Sequence, residues 1–277
     1  MATHHFFLFI KKLWFKIKRD PIFDWSATLA FYFLLSIFPL LIFFLSLIPY
    51  LPIQMEQVYV FIEDYVPEQL MKLLKSTVFE IVEAPKGGLL SFGILATLWS
   101  ASNGMNALIR ALNRAHDLEE TRSFFKLRFL SIFMTLGMIV VFVVTLLLPV
   151  FGHVILEWIA KIIALPPATF ELFNRLRWLV GIAVMTTVLM AIYILAPNKR
   201  ICYKEALAGA IFATVTWQLI SYLFSIYVEN FSMLNATYGS LGGVIVLMLW
   251  FFLSGMVLVI GGEINAVLHE KKNAKNP

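Results

Sequence analysis

Long apolar stretches without Asp, Glu, Lys or Arg recur six times along the chain, over approximately 26–48, 89–107, 129–151, 178–196, 206–227 and 241–260. A hydrocarbon core about 30 Å thick takes roughly 20 apolar residues per helical crossing, so the pattern predicts six transmembrane helices. Runs such as 132–148 are continuously apolar rather than alternating, which selects helices over barrel strands as the way to satisfy backbone hydrogen bonds in lipid. The predicted class is all-α, a polytopic bundle.

The polar ends of the pattern predict three further elements. Phe6, Phe7, Phe9, Ile10, Leu13, Trp14 and Ile17 interleave with Lys11, Lys12, Lys16 and Lys18. That spacing describes an amphipathic helix lying in the interface before Pro21 turns the chain into the first crossing. The loops after the first and third crossings carry acidic residues among regularly spaced apolar ones, with a break at Pro166-Pro167 before a short helix near 169–174, and are expected as helical collars on the outer leaflet. The domain reading is an interfacial helix over 1–24, the membrane bundle over 25–262 and a polar tail over 263–277.

Composition agrees, because 60% hydrophobic and 14% charged residues leave too little polar surface for a soluble globule of this size. Charge then sets orientation. Counted by flank, 16 of the 22 basic residues fall on the side holding both termini, including Lys11, Lys12, Lys16, Lys18 and Arg19 before the first crossing. By the positive-inside rule both termini are expected in the cytoplasm of a cell membrane. The net charge of +5 therefore reflects topology and anionic headgroups rather than nucleic acid. Cys202 stands alone, so no internal disulfide is available, and it reads as a packing residue.

Polar chemistry inside the bundle gathers on the second crossing. Asn103, Asn106 and Arg110 fall at i, i+3 and i+7 on one helical stripe, with Arg114 a turn further. Such a stripe must face protein or water. Two readings stay open: interhelical hydrogen bonding with snorkelling arginines, or the wall of a substrate path in which Arg110 meets an anionic headgroup. Glu263 and Asn265 bring a carboxylate and an amide to the end of the sixth crossing, and Glu263 is expected to pair with Arg110, with Arg114, Lys204 and Arg200 as rivals. A structural pair and a proton-coupling carboxylate are both open there. Gly239-x-x-x-Gly243 and Gly209-x-x-x-Ala213 predict close helix approach. Pro39 inside the first crossing removes a backbone donor, which predicts a kink or hinge with the freed carbonyl met by Ser36 or a neighbouring helix.

The five histidines, His4, His5, His116, His153 and His269, are scattered and form no H-x-H-x-D or H-E-x-x-H pattern. No metal centre, cofactor or nuclease chemistry is expected, and no G-x-x-x-x-G-K-[ST] loop is present.

Three segments carry a resemblance: Ala30-Phe-Tyr-Phe-Leu-Leu-Ser-Ile-Phe-Pro39-Leu; Leu98-Trp-Ser-Ala-Ser-Asn-Gly104 through Arg110-Ala-Leu-Asn-Arg-Ala115 to Glu120-Thr-Arg122; and Thr237-Tyr-Gly-Ser-Leu-Gly-Gly243 through Gly261-Gly-Glu-Ile-Asn265-Ala. In their order and spacing the chain resembles the YihY/BrkB family of bacterial inner-membrane proteins over nearly its whole length. The resemblance implies an inner-membrane protein from a family variously labelled ribonuclease, virulence factor and lipid transporter. The combined expectation is a non-enzymatic, flippase-like transporter for lipids or anionic amphipathic solutes. The alternative is a non-transporting scaffold of the envelope. Membrane lipids are the expected partner, and a homo-oligomer is left open.

Overall fold

The computed structural model describes residues 2–47, 87–142, 144, 167–229 and 240–273. Among the described residues all regular structure is helical: α1 (Ala2–Arg19), α2 (Ile22–Leu47), α3 (Gly87–Ala115), α4 (Phe124–Phe142), α5 (Pro167–Leu195), α6 (Tyr203–Glu229) and α7 (Ser240–Asn273). Four helices hold windows long and apolar enough to cross a membrane, Ile22–Leu40, Phe124–Val141, Tyr203–Val228 and Gly242–Glu270, and most of each window faces outward. Exposed apolar side chains along them, such as Phe38, Phe129, Val215 and Ile245, are the surface that lipid covers. The second and fourth expected crossings lie within α3 and α5, the latter contributing the apolar helix Leu179–Leu195. Among the described residues, four of the six expected crossings are matched by spans long and apolar enough to cross a membrane.

Element boundaries differ from the sequence reading in informative places. The short helix near 169–174 is continuous with the crossing that follows it, as α5 starts at Pro167. Proline suits the first helical turn because its missing N–H has no partner there in any case. The polar tail expected from 263 is helical as far as Asn273, and residues 261–267 are all buried. The helical collars near 51–86 and 153–166 lie outside the described residues.

The chain divides into two compact units, Met1–Phe31 with Ser102–Pro277, and Tyr32–Ala101. In the larger unit α6 packs against both α5 and α7, α1 lies against α7, and α4 lies against α5. Polar residues link these helices at mid-length: Thr186 Oγ1 donates to Thr214 Oγ1 at 3.1 Å, and Trp217 Nε1 donates to Ser254 Oγ at 3.1 Å. In the smaller unit Pro39 stands inside a continuous α2. Ser36 Oγ donates to the Phe33 carbonyl at 2.7 Å, whereas the carbonyl freed by proline is that of Leu35, four residues before it.

Close approach occurs where glycine sits on α6 and α7. A Cβ on Gly209 would run into the Gly261 carbonyl and the Asn265 amide, one on Gly261 into the Tyr193 hydroxyl, and one on Gly262 into Leu112. Ala213, one turn beyond Gly209, is fully buried. Gly243 is different: it is exposed and a Cβ there would meet nothing within 4 Å. The close contact expected at Gly243 is therefore not made there, and Gly239 lies outside the described residues.

Candidate functional site

The charged and amide side chains of the larger unit gather where α1, the end of α3 and the end of α7 meet. α1 carries Lys16 on the side turned toward α3 and α7, where its ammonium is almost wholly buried. It lies 2.8 Å from Glu270 Oε1 and 3.5 Å from Asp117 Oδ2 and donates to the Ala115 carbonyl. That carbonyl ends α3, so the cation meets the negative pole of the helix as well as two carboxylates. Asp20, equally buried, accepts from Arg19 Nη2 at 2.9 Å, and Arg114 Nε lies 3.6 Å from it. Arg19 Nη2 also donates to Asp117 at 2.9 Å, and these acceptors raise its pKa. Asp117 sits at φ 53°, with the Leu118 N–H bonded to Asn113 O at 2.9 Å and its own N–H to Arg114 O at 3.0 Å. This is the left-handed helix terminus that Asp and Asn adopt most readily after Gly.

A second network joins the α3–α4 and α5–α6 loops. Asn113 Nδ2 donates to Glu120 Oε2 at 2.9 Å while its Oδ1 accepts from the Asn198 N–H at 2.7 Å. Arg122 spreads its guanidinium across Glu120 Oε1 at 3.1 Å, Asn198 Oδ1 at 3.3 Å and the Ala196 carbonyl at 2.6 Å. Asn198 returns two bonds, to the Glu119 carbonyl and Thr121 Oγ1. The segment Glu120-Thr-Arg122, one of those that carried the family resemblance, is thus a clamp between loops.

A third group lies beside the first. His269 Nδ1 stands 2.8 Å from Glu205 Oε2, and that same oxygen accepts from the Cys202 N–H at 3.4 Å at the start of α6. The ring of His116 lies 6.2 Å from that of His269. His116 Nδ1 is 2.9 Å from the Leu112 carbonyl, which makes that nitrogen the donor. Burial is the main cause that lowers the pKa of His116 to about 4, with His269, Lys16 and Lys199 acting in the same direction.

The residues singled out by sequence disperse among these surroundings. Asn103 accepts from Arg128 Nη1 of α4 at 2.7 Å. Asn106 is half-buried with its Oδ1 unpartnered, and Arg110 is exposed. Arg114 belongs to the Asp20 group. Asn265 Oδ1 accepts from the Gly209 N–H at 2.7 Å, crossing from α7 to α6 where the glycines allow it. Glu263 is 1% exposed, and its Oε2 has no hydrogen-bond partner. The expected pair with Arg110 is not formed, and Arg114 turns to Asp20 instead. A carboxylate buried this deeply required an approaching cation, but each nearby one is engaged by another acceptor.

Sequence reasoning missed Lys16, Asp20, Asn113, Asp117 and Asn198. Lys16 counted as one more interfacial lysine, although it falls on the α1 face opposite exposed Phe7 and Trp14. A usable signal was the pair Asp20-Pro21, an acid at a helix junction beside Arg19. Among the described residues no group of three or more His, Cys, Asp or Glu is arranged to hold a metal ion.

Beside Lys16 the surface forms a groove of about 320 Å³ lined by Leu8, Lys11, Lys12, Phe15, Lys16, Arg19 and Glu270. Four cationic and two apolar side chains line it, against one carboxylate.

A ribonuclease-like protein, YfkH of Bacillus subtilis (strain 168), is 48% identical over 247 residues, covering 89% of this chain and 90% of that protein. A UPF0761 membrane protein of Photobacterium profundum is 26% identical over 268 residues, 93% of this chain and 79% of its own length. Another, of Vibrio vulnificus, is 32% identical over 98 residues, 35% of this chain and 31% of that protein. No solved structure gives a significant match. The family described as virulence factor BrkB matches residues 13–277, nearly the whole chain, and the protein belongs to this family of membrane proteins.

Proposed function

We propose that this protein sits in the plasma membrane with both termini in the cytoplasm and moves anionic amphipathic lipids, engaging their headgroups at its cytoplasmic face without covalent chemistry. The groove between α1 and the end of α7 carries the reading. Lys11 and Lys12 supply exposed positive charge beside Leu8 and Phe15, a combination that suits a phosphate with an acyl chain attached. Exposed Phe7, Ile10, Trp14 and Phe15 seat α1 at the level of the headgroups, and Lys18 stacks over Trp14 at 5.0 Å. The 16 basic residues on this side support the orientation. Arg110, exposed one helix away, serves as a second contact for the headgroup.

Reconstitution tests it: liposomes containing the protein should accelerate exchange of labelled anionic lipid between leaflets more than that of zwitterionic lipid. Equal rates with and without protein for every lipid would overturn transport. A scaffold role is the second reading. It is favoured by Asn103 being tied to Arg128 and by the tight glycine contacts of α6 and α7, which fill the bundle where a path is needed.

A further inference from the structure

We propose that Glu263 is a proton-binding site that holds its carboxyl proton in the resting bundle and exchanges it with water at the α1 face. On this proposal the proton is the ion coupled to lipid movement. The proton site rests on the burial of Glu263 and its unpartnered Oε2, whereas the coupling rests on the transport reading.

Of the three buried carboxyl groups at this end of the bundle, Glu205 is met by His269 at 2.8 Å, and the other two have opposite surroundings. Asp20 is met by Arg19 at 2.9 Å and by Arg114 at 3.6 Å, so its charge is compensated. Glu263 forms no ion pair or hydrogen bond among the described residues, and its Oε2 is sealed from solvent. The charged groups acting on it are Lys16, Arg19 and Asp20 from α1 and Asp117 beyond α3. Its own helix adds His269 and Glu270, which pair with Glu205 and Lys16. Every cation in this set is already held by a carboxylate. An isolated buried carboxylate is so costly that the group takes a proton instead, and environments that separate two titratable groups in this way mark acid and base roles.

Ionisation has a mechanical consequence. When Glu263 gives its proton to water and becomes a carboxylate, the nearby Lys16 ammonium gains a competitor to Glu270, Asp117 and the Ala115 carbonyl. Lys16 also lines the lipid groove, so the proton state of α7 reaches α1. Reprotonation restores the resting set of bonds.

Infrared spectroscopy of the purified full-length protein reads the site without transport. A protonated-carboxyl C=O band should be present at neutral pH, vanish on alkaline titration, and be missing from Glu263→Gln. A wild-type protein with no such band at neutral pH, or a band unchanged in Glu263→Gln, would overturn the proton site; the wild-type titration decides even where the variant fails to fold. In proteoliposomes an imposed proton gradient should raise anionic-lipid exchange several-fold for wild type and leave Glu263→Gln at its gradient-free rate. The same stimulation in both would overturn coupling. A band behaving as expected in a protein that exchanges no lipid under any gradient overturns transport and coupling together, and supports the proton site.

Discussion

Lys16 on α1 and Glu270 on α7 stand 2.8 Å apart, one side chain buried and the other 41% exposed. The contact joins the helix that lies along the interface to the last helix of the bundle, and the Ala115 carbonyl brings in α3 as well. Removing the lysine takes the side-chain donor from the Ala115 carbonyl and leaves Glu270 with Lys12 at 3.9 Å, while Asp117 keeps Arg19. Lys16→Met should lower stability by about 1–3 kcal/mol, above the range of surface pairs because the ammonium is desolvated. Glu270→Gln should cost less, and the double variant less than the sum. Additive losses in detergent melting curves would show that the two are uncoupled.

Glycine positions give a paired prediction. Gly209→Ala places a methyl against the Gly261 carbonyl and Asn265, where backbone cannot yield cheaply, and should destabilise by about 1–3 kcal/mol or more. Gly243→Ala meets open space and should be neutral or gain up to about 1 kcal/mol from helix propensity. Equal effects from the two substitutions would contradict the packing described for α6 and α7.

The helices were legible because apolar run length is a strong signal and lipid permits little else. The orientation of the polar groups was not. Asn103, Asn106 and Arg110 do share a helical stripe, yet Asn103 is taken by Arg128 from another helix, and periodicity within one segment carries no information about its neighbour. Glu263 illustrates the same limit: sequence placed cations at comparable depth, but Asp20 and Asp117, unremarkable in the chain, draw Arg19 and Arg114 away. Gly209 was found by its small-x-x-x-small spacing. The same spacing misled at Gly243, since a small residue permits a contact without supplying a partner.

Arg122 fastens the two loops at one end of the bundle. Arg122→Lys keeps the charge but loses the fork that reaches Asn198 and the last carbonyls of α5, and should cost about 1–3 kcal/mol. Lys199 and Arg200, exposed in the α5–α6 loop, report the change. Trypsin cleavage there should speed up in proportion to the loop's lost protection, and an unchanged cleavage rate would mean that Arg122 does not hold this loop.

His116 gives the bundle an acid-sensitive element. With a folded pKa of about 4 against an ordinary 6.5, the unfolded chain binds the proton more readily. The stability that neutral His116 contributes is complete above about pH 6.5 and is lost as pH falls from there toward 4. Integrated over that window the loss is a few kcal/mol at most, on the order of 1.4 kcal/mol per unit. His116→Asn, whose amide can keep the bond to the Leu112 carbonyl, should flatten the melting temperature against pH in this range. A slope equal to wild type would assign the acid sensitivity to other groups.

The lysine groove and Arg110 make separable claims on the same headgroup. Lys11 and Lys12 flank the groove on exposed parts of α1, so Lys11→Gln with Lys12→Gln removes attraction at the surface; Lys12 also lies 3.9 Å from Glu270, a carboxylate that keeps Lys16 at 2.8 Å. Each cation near an anionic surface contributes about 1 kcal/mol, so the double variant should weaken binding to anionic vesicles roughly 10- to 30-fold, with less effect at high salt. Arg110→Ala should leave vesicle binding nearly unchanged and slow exchange of anionic lipid more than zwitterionic, with Arg110→Lys intermediate because the ammonium lacks the bidentate fork. Vesicle co-sedimentation and leaflet exchange measured on the same preparations separate capture from movement. Loss of zwitterionic and anionic exchange in equal measure would reduce Arg110 to a shape role, and unchanged vesicle binding in the double lysine variant would remove the groove as the capture site.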